Sequence, residues 1–449
     1  ILIPYTNECL RIEKHGHKLG RGSIGPLCRS YKHMPVSDEA EESLTVGFVS
    51  DRSVSLIEPD IEAKGIDRVR ETVGMTREAV RAISITALEA VREGALFMGV
   101  IGTRGELVNP FAHIDAPIWS ENEVPESIVE TAYDYCEELT RREAGNFYHS
   151  FKYLPDLQRR AICAYYAFCR RADDIADGDY VDYFPGGSSD DPESVDYRVN
   201  IERLSSGDPV VDRTSYNEKM SQLFYYRKKL STAYEDVTST DPIFIALKDT
   251  VRKFGIQRQE LDDMISGMED DFHRNRYETF EDLYAYCYRV ASTVGLVCIE
   301  IYGYDDPMAV EYAEAWGIYM QLTNILRDVA EDAARNRIYL PTEDLARFGI
   351  TPEDVLEGSK VITHPGWKPF VEDFIEQAER YRERAFKLLP MLDKASRYSP
   401  AAMAKFYESI MAKIRKKGGD VFTERVQLSK SEKIALAGYV YARYRFLAI

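Results

Sequence analysis

Residues 321–332 read QLTNILRDVAED, and this stretch decides the predicted fold. Asn324, Asp328 and Asp332 recur every four residues, so a helix would align them on one face. Gln321 lies on the same side one turn earlier, and the opposite face is apolar. Carboxylates at this spacing repel each other, and a Mg²⁺ ion between them would offset the repulsion because it prefers oxygen ligands. The pattern predicts a helix with a metal-binding stripe.

A second acidic pair precedes this stretch. Residues 170–177 read RRADDIAD and end a long apolar helix, with Asp173 and Asp177 again four residues apart. Either pair alone is more typical of a solvated helix end. Two pairs on apolar helices, each beside an arginine, favour facing helices that hold Mg²⁺ or Mn²⁺ and bind a diphosphate through the metal. The predicted metal ligands are Asp173, Asp177, Asn324, Asp328 and Asp332.

Arginines accompany both pairs. The guanidinium group presents forked donors that match phosphate oxygens, so it suits the part of a diphosphate that a metal does not cover. An ordinary surface ion pair is the alternative for each of them. The predicted phosphate-binding arginines are Arg170, Arg327, Arg335 and Arg337.

Residues 286–296, YCYRVASTVGL, place aromatic and small side chains on one helix. Small residues allow a ligand to approach closely, and an aromatic face stabilises a developing carbocation. Tyr288 is therefore a candidate catalytic residue, with plain packing as an equal alternative in a chain of 30 tyrosines. Residues 267–271, GMEDD, either line the same cavity or form a solvated helix end.

Composition restricts the possible partners. The formal net charge of −18 excludes nonspecific nucleic-acid binding, which depends on Lys and Arg contacts to phosphates. The seven cysteines are irregularly spaced without a CxxC pair, which predicts reduced thiols in a cytoplasmic protein. Neither a signal peptide nor an apolar run of about 18 residues is visible, so we expect no membrane span.

Helical periodicity dominates from residue 126 onward and predicts an all-α domain, residues 126–449, around a central cavity. A polar insertion, residues 178–191, is predicted to be a mobile loop. The predicted helices span residues 127–144, 157–177, 196–204, 216–234, 242–254, 258–271, 280–302, 308–334, 368–392, 400–417 and 429–445.

Residues 1–125 differ from the rest. Gly and Pro are scattered through them, and a single helix is predicted at residues 76–98. They contain neither a carboxylate pair nor an arginine-rich loop. We therefore interpret them as an extension that is not needed for the chemistry.

The order of these segments resembles the squalene/phytoene synthase family, over roughly residues 145–445. The strings YCYRVASTVGL and NILRDVAED are long and specific, and NFYHSFKYLP at residues 146–155 and the closing residues 406–426 also fit. Asp270 departs from the pattern, because family members often carry an apolar residue there. The similarity is greatest to phytoene synthases of the bacterial and archaeal type.

The resemblance implies an isoprenoid synthase fold, an all-α bundle around a hydrophobic cavity that binds two prenyl diphosphates. It implies head-to-head condensation through a cyclopropyl diphosphate. Asp173 and Asp177 match the first aspartate-rich motif, and Asp328 and Asp332 match the second. The other matched positions face metal, phosphate or cavity: Arg170, Gln321, Tyr288, Asn324, Tyr407 and Arg425.

The product remains open at this point. Phytoene from two C20 diphosphates is the leading prediction, and a C30 product (squalene, dehydrosqualene or hydroxysqualene) from two C15 diphosphates is the alternative. A GxGxxG preceded by a strand is absent, as is a C-terminal membrane helix, so NADPH-dependent reduction is not expected. A terpene cyclase would share the aspartates but not YCYRVASTVGL. A non-catalytic partner with the same fold would not need four intact aspartates.

The chemistry also predicts a membrane surface as a partner. The substrates are amphiphiles and the product is a hydrocarbon, and each methylene favours an apolar phase by roughly 0.8 kcal/mol. We expect weak peripheral attachment, with residues 439–447 as a candidate segment that mixes Tyr and Arg. The alternative for this segment is a final helix packed on the core.

Overall fold

The computed structural model describes residues 47–50, 53–56, 107–111, 124–144, 146–180, 193, 213–235, 237 and 239–446. The chain divides into two compact units, one of residues Tyr5–Met98 and one of Ile1–Pro4 with Gly99–Ile449. In the first unit an antiparallel hairpin pairs β1, Gly47–Ser50, with β2, Ser53–Leu56. The predicted helices 76–98 and 196–204 lie outside the described residues, as does most of the predicted loop 178–191.

The described part of the second unit is helical, which confirms the predicted all-α isoprenoid synthase fold. Ten of the eleven predicted helices lie in the described residues; eight of them correspond to single helices, and the other two are each divided in two. The helices are α1 Glu126–Glu143, α2 Asn146–Phe151, α3 Asp156–Asp177, α4 Arg213–Tyr234, α5 Pro242–Phe254, α6 Arg258–His273, α7 Phe280–Cys287, α8 Thr293–Tyr302, α9 Ala309–Arg327, α10 Val329–Ala334, α11 Thr342–Arg347, α12 Pro352–Leu356, α13 Trp367–Ala385, α14 Tyr398–Lys416 and α15 Lys430–Phe446. The helices α2, α11 and α12 were not predicted, because five or six residues are too few to show a helical period.

The predicted helix 280–302 is divided by a π turn, Tyr288–Ser292, between α7 and α8. The Thr293 N–H donates to the Tyr288 carbonyl, five residues back rather than four. Thr279 begins α7 with a capping box, because its side chain accepts from the Asp282 N–H while the Asp282 carboxylate accepts from the Thr279 N–H. The backbone is therefore well fixed where this helix begins.

The predicted helix 308–334 is not continuous either, since α9 and α10 meet at Asp328, whose φ and ψ are −102° and 12°. The Asp328 N–H still donates to the Asn324 carbonyl at 2.9 Å, and the Asp332 N–H donates to the Asp328 carbonyl at 2.9 Å. The prediction of one continuous helix over residues 308–334 was wrong. The two backbone hydrogen bonds nevertheless keep Asn324, Asp328 and Asp332 in helical register.

Two glycines let α9 pack closely against the π turn and α8. A Cβ on Gly317 would lie 2.5 Å from the Ser292 backbone nitrogen, and one on Gly295 would lie 2.7 Å from the Ala313 carbonyl oxygen. Real Cβ atoms do not approach that closely, so any larger residue would separate the helices. These contacts fix the spacing of the central helices.

A cavity lies among these helices, and its empty space, including the part that is open to solvent, is about 900 Å³. In the part of the chain that the structure describes, no helix is long and apolar enough to cross a membrane. The main apolar and aromatic lining residues are Phe147, Phe151, Ile162, Tyr165, Tyr166, Cys169, Met264, Met268, Val290, Ala291, Val294, Cys298, Trp316, Met320, Leu388, Pro400 and Met403.

Candidate active site

The first acidic pair lies in the last two turns of α3, which ends at Gly178 in the left-handed conformation (φ 84°). Asp173 is only 2% exposed. Its Oδ1 is buried without a hydrogen-bond partner among the described residues, and its Oδ2 lies 3.7 Å from an Arg170 nitrogen. The other Arg170 nitrogen binds Asp174 at 2.5 Å. Asp173 therefore has a buried oxygen that the protein leaves available.

Burial and the nearby charge of Asp177 together raise the pKa of Asp173 to about 8. A carboxylate in this position is costly to ionise unless a cation is supplied. Arg335, which follows α10, reaches the other member of the pair, with a nitrogen 3.8 Å from Asp177 Oδ1. This contact brings the segment after the second pair next to the first pair.

The second pair is held differently. Arg327 donates from Nε to Asp328 Oδ1 at 2.7 Å and from Nη2 to Oδ2. Arg425, 97 residues further along the chain, donates to the same Oδ1 from Nε at 3.1 Å and Nη2 at 2.8 Å. Although burial opposes ionisation, Arg327 and Arg425 hold the pKa of Asp328 below its usual value. Asp328 is therefore a charged carboxylate already neutralised by two arginines.

Asp332, one turn beyond Asp328, has no such support. Burial and repulsion from Asp328 raise its pKa to about 8. Arg337 is also nearby, and its backbone N–H donates to the Asp332 carbonyl at 2.8 Å. Each pair thus contains one carboxyl group that is difficult to ionise, which is Asp173 in the first and Asp332 in the second.

The predicted amide groups lie on α9 just before Asp328. Asn324 donates from Nδ2 to Gln321 Oε1 at 3.3 Å, and both residues are buried. Tyr407 comes from α14, and its hydroxyl hydrogen-bonds with Asn324 and Arg327; burial raises its pKa to about 12. Residues predicted from distant parts of the sequence are therefore brought together here.

The chain is similar to known proteins over most of its length. Residues 140–432 match the model of a family described as squalene/phytoene synthase. The chain belongs to the squalene/phytoene synthase family. It is 32% identical over 351 residues to a 15-cis-phytoene synthase from Synechocystis sp., covering 75% of this chain and 93% of the relative. It is 35% identical over 319 residues to phytoene synthase 2 of Zea mays, covering 70% of each chain.

Solved structures agree on the fold. A dehydrosqualene synthase in complex with a ligand superposes with a TM-score of 0.57 at 28% identity, covering 70% of this chain and 96% of that one. The squalene synthase HpnC from Alicyclobacillus acidocaldarius has a TM-score of 0.52 at 24% identity, covering 66% and 98%. The predicted family and enzyme class are confirmed: this member of the squalene/phytoene synthase family is a prenyltransferase.

Several polar residues of this family member were not identified from the sequence. Tyr339 donates its hydroxyl to Asp271 Oδ1 at 2.7 Å, and the Tyr286 hydroxyl lies 3.4 Å from Oδ2 of the same carboxylate. The two rings stack with centroids 5.0 Å apart, and Arg337 lies 3.6 Å from Asp271. Residues 267–271 are thus not a solvated helix end, since Asp271 is buried and Met268 lines the cavity.

Lys219 of α4 was missed as well. Its Nζ donates to the Asp177 carbonyl oxygen at 2.8 Å. Burial lowers its pKa, Asp177 opposes that change, and Arg337 and Arg335 reinforce it, so all three groups lie near the ammonium. No sequence pattern marked Lys219, because it lies in an ordinary amphipathic helix and is positioned only by tertiary packing.

Tyr288 is the first residue of the π turn, and its catalytic role stays a prediction. It is not among the cavity-lining residues, which in this segment are Val290, Ala291, Val294 and Cys298. Burial raises the pKa of Tyr288, with Glu314 contributing, which places it near that acidic side chain instead.

The described residues contain no group of three or more His, Cys, Asp or Glu side chains arranged to hold a metal ion. The donor set still fits a cation. Asp173 keeps a buried oxygen without a hydrogen-bond partner, and one carboxyl group of each pair has a raised pKa. A hard divalent cation would stabilise the ionised form of these buried carboxyl groups, because it prefers oxygen ligands and neutralises their charge.

Proposed function

We propose that this enzyme joins two geranylgeranyl diphosphates head to head, through a cyclopropyl diphosphate, to give phytoene. One observation carries the proposal: α3 and α9 each line the apolar cavity just before their polar residues. Cys169 and Met320 line the cavity, and Asp173 and Asn324 follow them by four residues. A prenyl chain in the cavity would therefore place its diphosphate between the pairs. The phytoene synthases among the relatives support this product.

We further propose that Asp173, Asp177, Asn324, Asp328 and Asp332 hold Mg²⁺, with Mn²⁺ as a substitute. Bound Mg²⁺ would neutralise the diphosphate and assist its departure. Among the protein's own groups, Arg335, Arg337 and Lys219 lie near Asp177 and supply positive charge to the remaining phosphate oxygens. Arg170 and Arg327 orient Asp174 and Asp328 through direct ion pairs.

The walls of the cavity would protect and stabilise the carbocation that forms when diphosphate leaves. Loss of diphosphate from the first substrate leaves an allylic cation, and the double bond of the second substrate attacks it. Loss of a proton from the resulting cation closes the cyclopropane ring. The lining is almost entirely apolar, so water that would quench the cation is excluded. Rings such as those of Tyr166 and Trp316 offer π faces to the positive charge. A second ionisation, rearrangement and proton loss complete phytoene, and none of these steps needs NADPH.

A C30 product is the second candidate, because the dehydrosqualene synthase structure is similar at 28% identity. The two are separated by incubating the purified enzyme with Mg²⁺ and either the C15 or the C20 diphosphate, and identifying products by mass spectrometry. We expect phytoene from the C20 substrate. If only the C15 substrate gives a product, the enzyme makes a C30 hydrocarbon and the phytoene proposal is wrong. If neither substrate gives a hydrocarbon, both the C40 and the C30 proposals are wrong.

We also propose that the enzyme works as a peripheral protein at a membrane surface, because the hydrocarbon product partitions strongly into an apolar phase. Product release into water would then limit repeated turnover. Multiple-turnover rates should rise when detergent or liposomes are supplied, while the rate of a single turnover should not change. Equal multiple-turnover rates with and without this sink would contradict membrane release.

A further inference from the structure

The outer face of the last described helix, α15, is apolar, and no other described part of the chain covers it. Ile434 is 62% exposed, Tyr439 is 56% exposed and Tyr441 is 38% exposed. At helical spacing they share one side with three small exposed residues, whereas Ala437 and Val440 are buried on the other side. We call this surface the α15 face, and it consists of Ile434, Ala435, Gly438, Tyr439, Tyr441 and Ala442.

The charges around the α15 face are basic, although the chain as a whole carries −18. Exposed Lys430 precedes the face and exposed Arg443 follows it. The one acidic residue of the helix, Glu432, is bound to Lys413 at 2.8 Å and caps the helix start through Ser429. Exposed apolar side chains flanked by basic ones suit an anionic lipid surface, because the apolar groups leave water and the basic groups meet anionic headgroups.

The α15 face is also next to the wall of the cavity. The Tyr441 ring packs on Tyr153 and Tyr398, with centroids 4.9 and 5.7 Å away. Tyr153 directly follows α2, which lines the cavity with Phe147 and Phe151. Tyr398 begins α14, which lines it with Pro400 and Met403, and its hydroxyl donates to the Ala437 carbonyl of α15 at 3.3 Å. Helix α15 therefore covers the two helices that close this side of the cavity.

We propose that the α15 face is the surface that docks on an anionic lipid bilayer. This rests on the proposed function, since it names the surface through which a hydrocarbon product would be handed to lipid. Ile434 and the two tyrosines enter the headgroup region, and Lys430 and Arg443 meet anionic headgroups at its edge. Burial of the apolar side chains and attraction of the basic residues to anionic headgroups both favour binding.

The test uses the full chain and sedimentation with phosphatidylcholine vesicles, with or without phosphatidylglycerol. Wild-type protein should bind mixed vesicles and bind phosphatidylcholine alone more weakly. Ile434→Asp and Tyr439→Asp should each reduce binding at least ~10-fold, as expected for loss of one buried side chain. Val310→Asp is the matched control, because Val310 is an exposed apolar residue of α9 outside this face (42% exposed). Its binding should equal that of wild type.

Three results would overturn the proposal: wild-type protein that binds neither vesicle, variants that bind as wild type does, or Ile434→Asp changing only the oligomeric state in analytical ultracentrifugation. The last would mean that a second copy of the chain covers the face. Turnover in detergent separates this inference from the proposed function. There the Ile434→Asp variant should keep its rate within about twofold, whereas an inactive wild type would refute the synthase assignment and leave vesicle binding untouched.

Discussion

The two acidic pairs have the same four-residue spacing and an arginine nearby, but their electrostatic environments differ in the folded protein. Asp173 is buried, with one oxygen unpartnered and its pKa raised to about 8. Asp328 occupies the same position in the second pair, and Arg327 and Arg425 hold it ionised. In the first pair, Asp173 has an oxygen that could bind a cation. In the second pair, Asp328 is already neutralised by two arginines, and Asp332 is not. The difference shows that a shared spacing does not imply a shared electrostatic state.

The largest expected effect tests what the two pairs have in common. If both hold Mg²⁺, removing divalent metal with a chelator should abolish diphosphate release, and adding Mg²⁺ or Mn²⁺ should restore it. The measurement is diphosphate release by the chelator-treated enzyme. An undiminished rate after removal of metal would refute a metal role for either pair.

Neutralising one carboxylate in each pair comes next. Asp173→Asn and Asp328→Asn should each lower turnover at least ~100-fold, about 2.7 kcal/mol of barrier. Asp373→Asn on α13 is the control, because Asp373 is partly exposed and has only a 3.5 Å contact to Arg347; it should keep wild-type activity. Near-normal turnover in either test variant would remove that aspartate from the site.

Removing the distant arginine sharpens the contrast. Arg425→Gln takes away two charge-assisted hydrogen bonds to Asp328 and should lower kcat/KM by about 10-fold, since such bonds contribute roughly 1.5–3 kcal/mol. Arg415→Gln is the control, because its ion pairs with Glu372 and Glu379 are exposed and add little. Equal activities for the two variants would show that Arg425 does not support the second pair.

The stability of the metal-free protein should separate the pairs by pH. Because folding raises the pKa of Asp173, its carboxyl group favours the folded state most at low pH, and this contribution is lost as pH rises from about 4 to about 8. Asp173→Asn should therefore raise the melting temperature more at pH 8 than at pH 5. Asp328→Asn should lower it at both pH values, because two arginines lose their partner. The measurement is the melting temperature of each variant at pH 5 and pH 8 with chelator present. The same pH dependence in both variants would contradict the proposed difference between the pairs.

The smallest effect concerns the N-terminal part. Both pairs lie after Met98, so a chain that starts at Gly99 should turn over substrate within about twofold of the full chain. A chain that starts at Glu126 should be less stable, because it also removes Phe111, whose side chain is fully buried. Loss of activity at normal helix content in the Gly99 chain would mean that residues 1–98 complete the site.

The sequence predicted what depends on local spacing. Periodicity located the long helices, and the four-residue intervals placed Asn324, Asp328 and Asp332 in register even though the helix bends. Lys219 and the bond between Tyr339 and Asp271 could not be predicted from spacing, because packing alone brings those segments together. Arg425 came only from the resemblance, since no local pattern links it to an aspartate 97 residues earlier.

The π turn is another feature that spacing did not predict. The periodicity predicts one continuous helix over residues 280–302, and the structure divides it at Tyr288–Ser292. Local sequence carries little information on this point, because π turns are rare and have no strong composition of their own. The tertiary contacts of Gly317 and Gly295 show the close packing beside this turn, but they are visible only in the folded chain.

The π turn has a consequence for how this cavity can change during evolution. A helix with such a turn holds one residue more than a regular helix of the same length. Deleting one residue within Tyr288–Ser292 would therefore leave a regular helix whose two halves keep their relative orientation. Deleting one residue between Val294 and Cys298 would instead turn the two halves by about 100° relative to each other, so Cys298 would no longer share a side with Ala291. A one-residue gap in an alignment would therefore change little in the wall of the cavity at the π turn and much within the regular helix.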